Sequence, residues 1–323
     1  MKRNLLEYAH SALLFSDVCV SPNIINWNRV VLLHGPPGTG KTSLCRALAH
    51  KLSIRMSERF PAGGFLLEIH SHSLFSKWFS ESGKLISRLF NRIREMVEDN
   101  SDALVCVLVD EVESLAASRT RGIDGKSGEP SDAIRAVNSM LTQLDRIKKY
   151  KNVIVMTTTN LTGSVDVAFI DRADIKQFIG LPIFQARYEI FRSCCKEMVR
   201  VGLVKADSNE RKANTIGGTG SLLLSTISKP DAIVNVSENH SLQSCHHVHE
   251  GEKEESNETS SEHLLFQCSE ISSGLSGRTL RKLPFQSHAM FIRSSESISM
   301  TDFLEALKCG IENEQKERKL MGQ

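Results

Sequence analysis

The amino-acid sequence predicts an α/β protein, in which a domain built on a parallel sheet is followed by a smaller, mainly helical domain. Four short and almost continuously apolar runs lie in the first half of the chain, at residues 29–34, 65–70, 103–110 and 152–160. Such runs are typical of strands that are buried on both faces. Between them, apolar residues recur at spacings of three and four, which is the period of helices that cover such a sheet.

A change from alternating strands and helices to mainly helical sequence places a domain boundary near residue 181. A last strand-like run, residues 176–182, ends in a proline, and helical periodicity follows it. We therefore expect a large domain at 1–181 and a helical domain at 182–323. Residues 205–262 are rich in Ser, Asn, Glu and Gly, so they are predicted to be a largely disordered insertion that cannot bury enough apolar surface to order itself.

The composition excludes several classes of function. Lys and Arg number 40 against 38 Asp and Glu, and a net charge of +2 gives no electrostatic reason to expect nucleic acid or an anionic membrane as a partner. No apolar run approaches the roughly 20 residues that a membrane-spanning helix needs. The eight cysteines show no spaced disulfide framework, which favours an intracellular protein. Function must therefore be sought in a site.

The segment GPPGTGKT, residues 35–42, matches the phosphate-binding pattern G-x-x-x-x-G-K-[ST] between a buried strand and a helix. The loop backbone can surround phosphates, Lys41 can reach the β and γ phosphates, and the Thr42 hydroxyl can bind magnesium. A glycine-rich turn without a ligand would leave the Lys-Thr pair unexplained. ATP and Mg²⁺ are the predicted cofactors. The predicted nucleotide contacts in this segment are Gly35, Pro36, Pro37, Gly38, Thr39, Gly40, Lys41, Thr42 and Ser43.

Polar residues at the ends of two later strands predict hydrolysis as well as binding. Asp110 and Glu111 end a buried run, where Asp110 can hold the magnesium shell and Glu111 can polarise an attacking water. Asn160 ends another strand and can position that water or touch the γ-phosphate, because ligands of open parallel sheets bind beyond the carboxyl ends of strands. Each residue alone could be an ordinary strand end, but all three follow a phosphate-binding loop.

These motifs, together with the segment DVAFIDRADIKQFIGLP, resemble the AAA+ ATPase family, whose members usually form hexameric rings. The resemblance implies that Arg172 in DRAD reaches the active site of a neighbouring subunit and stabilises the charge of the transferring phosphate. An ion pair with Asp171 or Asp174 is the alternative for Arg172. The resemblance also implies a nucleotide-sensing role for Arg278 in the segment GLSGRTLRKLPF, at a predicted helix start.

Several segments, among them SHSLFSKWFSESGKL and EPSDAIRAVN, are similar more narrowly to the AAA+ ATPases that remodel HORMA-domain proteins. The resemblance covers residues 1 to about 204 and 264 to 323. It implies a homo-hexamer that partly unfolds or converts HORMA-domain proteins, with or without an adaptor. It further implies roles in meiotic chromosome axis and recombination control and in spindle checkpoint signalling, in the nucleus on chromosomes, with the cytoplasm left open as a further location.

Two aromatic residues, Trp78 and Phe79, stand in the polar stretch SLFSKWFSESGK. In a ring of the AAA+ type this loop would face the central channel, so both residues are predicted to grip the substrate; packing against the sheet edge is the alternative.

The resemblance further implies a domain that precedes the ATPase module and engages the substrate or its adaptor, and this sequence begins close to the module. An ATP-binding module without productive remodelling is therefore the alternative function.

Overall fold

The computed structural model describes the chain in seven ranges. These are residues 2–21, 24–71, 82–114, 130–160, 167–205, 258–293 and 296–322. The predicted gripping residues Trp78 and Phe79, and most of the predicted insertion at 205–262, lie outside the described residues and stay predictions. No helix within the described ranges is long and apolar enough to cross a membrane.

The chain forms two compact units. The first comprises Met1–Pro182 together with Gly274–Thr279, and the second comprises Ile183–Ser273 together with Leu280–Gln323. The short segment Gly274–Thr279 carries Arg278, so this residue groups with the first unit.

A five-stranded parallel sheet forms the centre of the first unit. Its strands are β1 (Val30–His34), β2 (Gly64–His70), β3 (Leu104–Asp110), β4 (Val153–Thr159) and β5 (Ile175–Phe178). The order across the sheet is β2-β3-β4-β1-β5, and every neighbouring pair is parallel. The parallel α/β architecture predicted from the sequence is therefore confirmed.

Helices cover both faces of this sheet. They are α1 (Lys2–Asp17), α2 (Lys41–Arg55), α3 (Ser82–Asp99), α4 (Pro130–Ile147) and α5 (Val167–Arg172). Successive strand residues point to opposite faces. Accordingly, Val30 and Leu32 join an apolar cluster with α3 and α4, whereas Val31 and Leu33 join a second cluster with α1 and α2. This double burial explains why the sequences of β1, β3 and β4 are continuously apolar rather than alternating. The same expectation was wrong for residues 65–70, because β2 lies at the edge of the sheet and only Ile69 in it is buried.

The described part of the second unit is mainly helical, as predicted. Its helices are α6 (Phe184–Arg200), α7 (Glu258–Ile271), α8 (Gly277–Ser287), a π-helix at His288–Ile292, and α9 (Met300–Leu320). Helix α8 begins in the segment that groups with the first unit. Helix α7 packs against both α6 and α9, and Phe191 and Phe303 are fully buried in the core of this unit.

Candidate active site

The phosphate-binding loop links β1 to α2 and needs glycine for its shape. Gly35 passes so close to the backbone of Ile179 that a Cβ at Gly35 would lie 2.2 Å from the carbonyl oxygen of Ile179. Gly40, with φ 92°, precedes α2 in the left-handed region, which favours glycine. No side-chain hydrogen bond caps the start of this described helix, so its first N–H groups face the loop that would hold phosphates.

Lys41 is the first residue of α2, and its side chain folds back onto the loop. The residue is only 6% exposed, and its Nζ lies 2.8 Å from the carbonyl oxygens of both Gly35 and Pro36. Burial lowers the pKa of Lys41, although the nearby carboxylates of Glu113, Asp110 and Glu111 act to raise it. The ammonium therefore bonds to loop carbonyls, and phosphate oxygens could replace these two bonds.

Thr42 and Asp110 meet at the carboxyl end of the sheet. The Thr42 hydroxyl donates to the Asp110 carboxylate, with Oγ1 at 3.0 Å from Oδ1 and 3.2 Å from Oδ2. A second hydroxyl, that of Thr158 in β4, also donates to Asp110 Oδ1. Hydroxyl and carboxylate oxygens are the hard ligands that Mg²⁺ prefers, so Thr42 and Asp110 fit the predicted metal.

Glu111 stands on a turn immediately after β3. Its φ is 59°, a left-handed conformation that non-glycine residues rarely adopt and that clusters at functional sites. Its backbone N–H donates to the hydroxyl of Thr158 at 3.2 Å, and its carbonyl accepts from the backbone N–H of Ser114 at 3.1 Å. The tertiary structure therefore fixes the backbone of the predicted water-activating residue.

Asn160 is bound to a carboxylate that sequence reasoning missed. Its backbone N and its side-chain Nδ2 both donate to Glu113 Oε1, at 3.1 and 2.9 Å. Glu113 is 9% exposed, and its other oxygen, Oε2, is buried without a hydrogen-bond partner among the described residues. The only sign of this contact in the sequence is that Glu113 follows Glu111 by two positions. The sequence alone does not show that Glu113 contacts Asn160.

The two arginines predicted to act on the nucleotide lie in different places. The backbone N–H of Arg278 donates to the carbonyl oxygen of Gly38 at 3.1 Å, and the charge of Arg278 acts to lower the pKa of Lys41. Arg278 is therefore beside the phosphate-binding loop. Arg172, at the end of α5, forms a bidentate pair with Asp145 of α4, with nitrogen–oxygen distances of 3.1 and 2.8 Å.

Asp174 has other donors than Arg172. It accepts hydrogen bonds from the Tyr8 hydroxyl and from the backbone N–H groups of Asn28 and Arg29, which lie just before β1. Arg172 precedes Asp174 by two residues and ends the helix that leads into β5, so it is also close to the amino ends of the strands. Because β1 has five residues, this end is about 16 Å from the phosphate-binding loop. The structure thus brings the phosphate-binding loop, Asp110 and Arg278 together at the carboxyl end of the sheet. It leaves Arg172 outside this group.

Two family models match the chain. Residues 31–181 match the ATPase family associated with various cellular activities (AAA). Residues 183–315 match the TRIP13-like, AAA+ ATPase lid C-terminal domain. The two matches follow one another along the sequence and together span most of the chain.

Curated relatives from plants and animals are similar to nearly the whole chain. The chain is 51% identical over 310 residues to the pachytene checkpoint protein 2 homolog of Oryza sativa subsp. indica, covering 95% of this chain and 59% of that protein. It is 46% identical over 319 residues to the pachytene checkpoint protein 2 homolog of Homo sapiens, covering 99% of this chain and 65% of that protein. The chain thus spans about three fifths of the length of these curated relatives.

Solved structures show the same likeness. The structure of C. elegans PCH-2 is similar with a TM-score of 0.70 and 34% sequence identity, covering 98% of this chain and 69% of that chain. The AAA domain of FIGL-1 in complex with ADP is similar with a TM-score of 0.57 and 19% identity, covering 98% of this chain and 86% of that chain. At that identity the second likeness concerns the fold alone.

Proposed function

Because this chain belongs to the pachytene checkpoint protein 2 family of AAA ATPases, we propose that it hydrolyses Mg²⁺-bound ATP as a homo-hexamer and uses the energy to remodel HORMA-domain proteins. One observation carries the hydrolytic part of the proposal. A phosphate-binding loop, a hydroxyl–carboxylate pair suited to magnesium and a fixed Glu111 meet at the carboxyl end of one sheet. Binding alone would not need Glu111 on a constrained turn.

Each residue has a definite task in the proposed reaction. Lys41 would exchange the loop carbonyls for phosphate oxygens, and Thr42 with Asp110 would hold the magnesium ion, which would supply positive charge beside the phosphates. Glu111 accepts a proton from the attacking water, and Asn160, oriented by its bonds to Glu113, positions that water. Arg278 contacts the phosphates from its place beside Gly38.

Arg172 is proposed to act on the active site of the neighbouring subunit. Its location near the amino ends of the strands, whereas the loop of its own chain follows the carboxyl end of β1, a strand about 16 Å long, supports action in trans over action in cis. Its bidentate pair with Asp145 would then be exchanged for a phosphate contact across the subunit interface. A hexamer would give every active site such an arginine.

The remodelling part of the proposal is supported by family membership. HORMA-domain proteins are the proposed substrates, with or without an adaptor, and the proposed location is the nucleus, on chromosomes, where meiotic recombination and checkpoint signalling take place. The cytoplasm is a further proposed location. Trp78 and Phe79 are proposed to grip an extended substrate segment, because flat aromatic side chains give contact area at low entropic cost without requiring a particular sequence.

Two measurements test the proposal in the same preparation. ATP turnover per subunit, followed by phosphate release, should rise cooperatively with protein concentration as rings assemble. Conversion of a purified HORMA-domain protein should accompany turnover, and Trp78→Ala should abolish conversion while it preserves turnover and the melting temperature. Turnover without conversion in the wild-type chain would sink the remodelling proposal, and ATP binding without turnover would sink the hydrolytic one.

A further inference from the structure

Thr158 contacts both of the consecutive acidic residues at the end of β3, Asp110 through its carboxylate and Glu111 through its backbone N–H. It is the sixth residue of β4, is 1% exposed, and stands next to the carboxyl end of β3. Its hydroxyl donates its one hydrogen to Asp110 Oδ1 and accepts the backbone N–H of Glu111 at 3.2 Å. A single buried hydroxyl therefore bonds to two consecutive residues that have different proposed tasks.

The backbone of Thr158 also holds the turn. Its carbonyl oxygen accepts the backbone N–H of Val112 at 3.0 Å, so Glu111 and Val112 both donate to the same residue. These bonds act on the left-handed conformation of Glu111, which at φ 59° would otherwise tend to relax toward commoner backbone angles. The direction in which Glu111 leaves the strand depends on this support.

Thr158 completes a chain of contacts from the phosphate-binding loop to Glu111. Thr42 joins the loop helix to Asp110, and Thr158 joins Asp110 to Glu111. A hydroxyl can do this because it is both a donor and an acceptor, whereas a methyl group in its place can do neither. The relative placement of metal and attacking water is sensitive to small shifts, since a displacement of about 1 Å can cost on the order of a hundredfold in rate.

We propose that Thr158 is a positioning residue of the ATPase site, whose hydroxyl fixes Asp110 and Glu111 in one relative arrangement. This role rests on the proposed ATP hydrolysis. The neighbouring Thr157 offers a natural contrast: it is also 1% exposed, but its hydroxyl donates to the carbonyl oxygen of Val31 at 3.2 Å. Because side chains alternate along a strand, Thr157 points to the opposite face of the sheet.

Four substitutions isolate the hydroxyl of Thr158. Thr158→Val removes it and keeps the side-chain shape, whereas Thr158→Ser keeps it and removes a methyl group. Thr158→Ala differs from Thr158→Ser by one oxygen atom. Thr157→Val is the matched control, since it removes a buried hydroxyl from the adjacent position, where the hydroxyl donates to Val31 rather than to Asp110.

Steady-state kinetics and nucleotide binding then measure the effect. In Thr158→Val, kcat for ATP should fall about tenfold to a hundredfold while KM stays within about twofold. Thr158→Ser and Thr157→Val should keep kcat within about threefold of the wild type. A fluorescent ATP analogue should bind Thr158→Val with unchanged affinity in EDTA, but the gain in affinity on adding Mg²⁺ should be smaller, because Asp110 has lost one of its two hydroxyl donors.

Three outcomes would overturn the role of Thr158. They are a wild-type kcat in Thr158→Val, an equal loss in Thr157→Val, and an equal loss in Thr158→Ser and Thr158→Ala. If Thr158→Val does not fold, the role of the hydroxyl is tested by comparing kcat of Thr158→Ser with kcat of Thr158→Ala, since these two variants differ by one oxygen atom. A wild-type chain without ATP turnover would instead contradict the proposed function, and the Mg²⁺-dependent binding of the analogue would still decide whether Thr158 positions Asp110.

Discussion

The two ends of the parallel strands carry polar clusters that are bonded in different ways. The carboxyl-end cluster consists of Lys41, Thr42, Asp110, Glu113 and Asn160. Its ammonium bonds to loop carbonyls, its hydroxyl bonds to a carboxylate, and one oxygen of Glu113 has no partner among the described residues. These are bonds that phosphate oxygens, a metal ion or water can replace.

The amino-end cluster joins secondary-structure elements to each other. It consists of Tyr8, Asn28, Arg29, Lys148 and Asp174. Asp174 accepts the Tyr8 hydroxyl at 2.6 Å and the backbone N–H of Arg29 at 2.7 Å, which ties α1 and the start of β1 to the start of β5. Arg29, 4% exposed, donates to the Ser16 hydroxyl at 3.0 Å and to backbone carbonyls before β4. Similar side chains therefore have different tasks at the two ends. At the carboxyl end their bonds can be replaced by bonds to a ligand, and at the amino end their bonds hold helices and strands together.

The largest effect is expected from Lys41→Ala in the carboxyl-end cluster. It should abolish ATP binding, because the main positive charge at the phosphates is lost, whereas Glu111→Gln should keep binding and lose hydrolysis. Burial lowers the pKa of Lys41, which means that burying its charge destabilises the folded chain. Removing the charge therefore offsets the loss of the two bonds from Lys41 to loop carbonyls. The free energy of unfolding should therefore change by less than about 1 kcal/mol in Lys41→Ala.

Titration with a fluorescent ATP analogue and chemical denaturation check both halves of this expectation. Equal ATP affinity in Lys41→Ala and the wild type would contradict it. A large loss of stability in Lys41→Ala would show that the carboxyl-end cluster also holds helices and strands together. The contrast between the two ends of the sheet would then be wrong.

Arg172 tests the contrast from the other side, since it is a proposed functional residue near the amino ends. Arg172→Ala should be inactive as a pure assembly and should regain turnover when mixed with Glu111→Gln subunits, because some mixed interfaces pair an intact Glu111 with an intact Arg172. Turnover measured across mixing ratios should pass through a maximum. Absence of recovery at every ratio would argue against action in trans.

Sequence reasoning reached the parts of this site that depend on local chemistry. The phosphate-binding loop and the buried strands are each specified by a few consecutive residues. The partners of Asn160 and Arg172 are not local: Glu113 is 47 residues from Asn160 and Asp145 is 27 residues from Arg172. The sequence suggests Asp171 or Asp174 as the partner of Arg172 because both are close along the chain, whereas strand register and helix packing determine the pairing with Asp145.

The tasks of Thr158 and Arg278 could not be derived from local sequence, for two different reasons. In the run of three threonines at 157–159, the sequence does not distinguish the one that faces Asp110 from the one that faces Val31. Arg278 is about 240 residues from Gly38 along the chain, and only the family resemblance suggested that it serves the nucleotide. The structure places its backbone against the loop, and its sensing role stays a prediction.

A smaller effect, on stability alone, is expected from Arg29→Met in the amino-end cluster. Methionine can fill much of the same space, but it leaves the carbonyl oxygens of Lys148 and Tyr150 without their donor. Burial lowers the pKa of Arg29 to about 10, so loss of the buried charge offsets part of the damage. We expect the free energy of unfolding to fall by about 2 to 4 kcal/mol.

The matched measurement for Arg29→Met is ATP turnover per folded subunit at a temperature well below the melting transition. It should equal that of the wild type, because no bond of Arg29 reaches the carboxyl-end cluster in the described residues. A fall in turnover without a fall in stability would show that the amino-end cluster controls the site at a distance, and the division of tasks between the two ends would be wrong.

The smallest effect is expected from Tyr8→Phe, which removes one hydroxyl and its 2.6 Å bond to Asp174. At pH 7 the free energy of unfolding should fall by about 1 to 2 kcal/mol, the usual value for a hydrogen bond to a charged acceptor. Burial, followed by the hydrogen bond and negative charge of Asp174, raises the pKa of Tyr8 above its ordinary value of 10.0.

This raised pKa gives Tyr8→Phe a signature that simple loss of packing would not produce. Above pH 10 the unfolded chain releases the Tyr8 proton while the folded chain keeps it, so the contribution of Tyr8 to stability is complete below pH 10 and declines as the pH rises further. Denaturation at pH 8, 9, 10 and 11 should therefore show a constant gap between wild type and Tyr8→Phe up to about pH 10 and a narrowing gap above it. A gap that stays constant through pH 11 would mean that the hydroxyl stabilises only by packing, and the amino-end cluster would then be held together by Arg29 and the backbone donors alone.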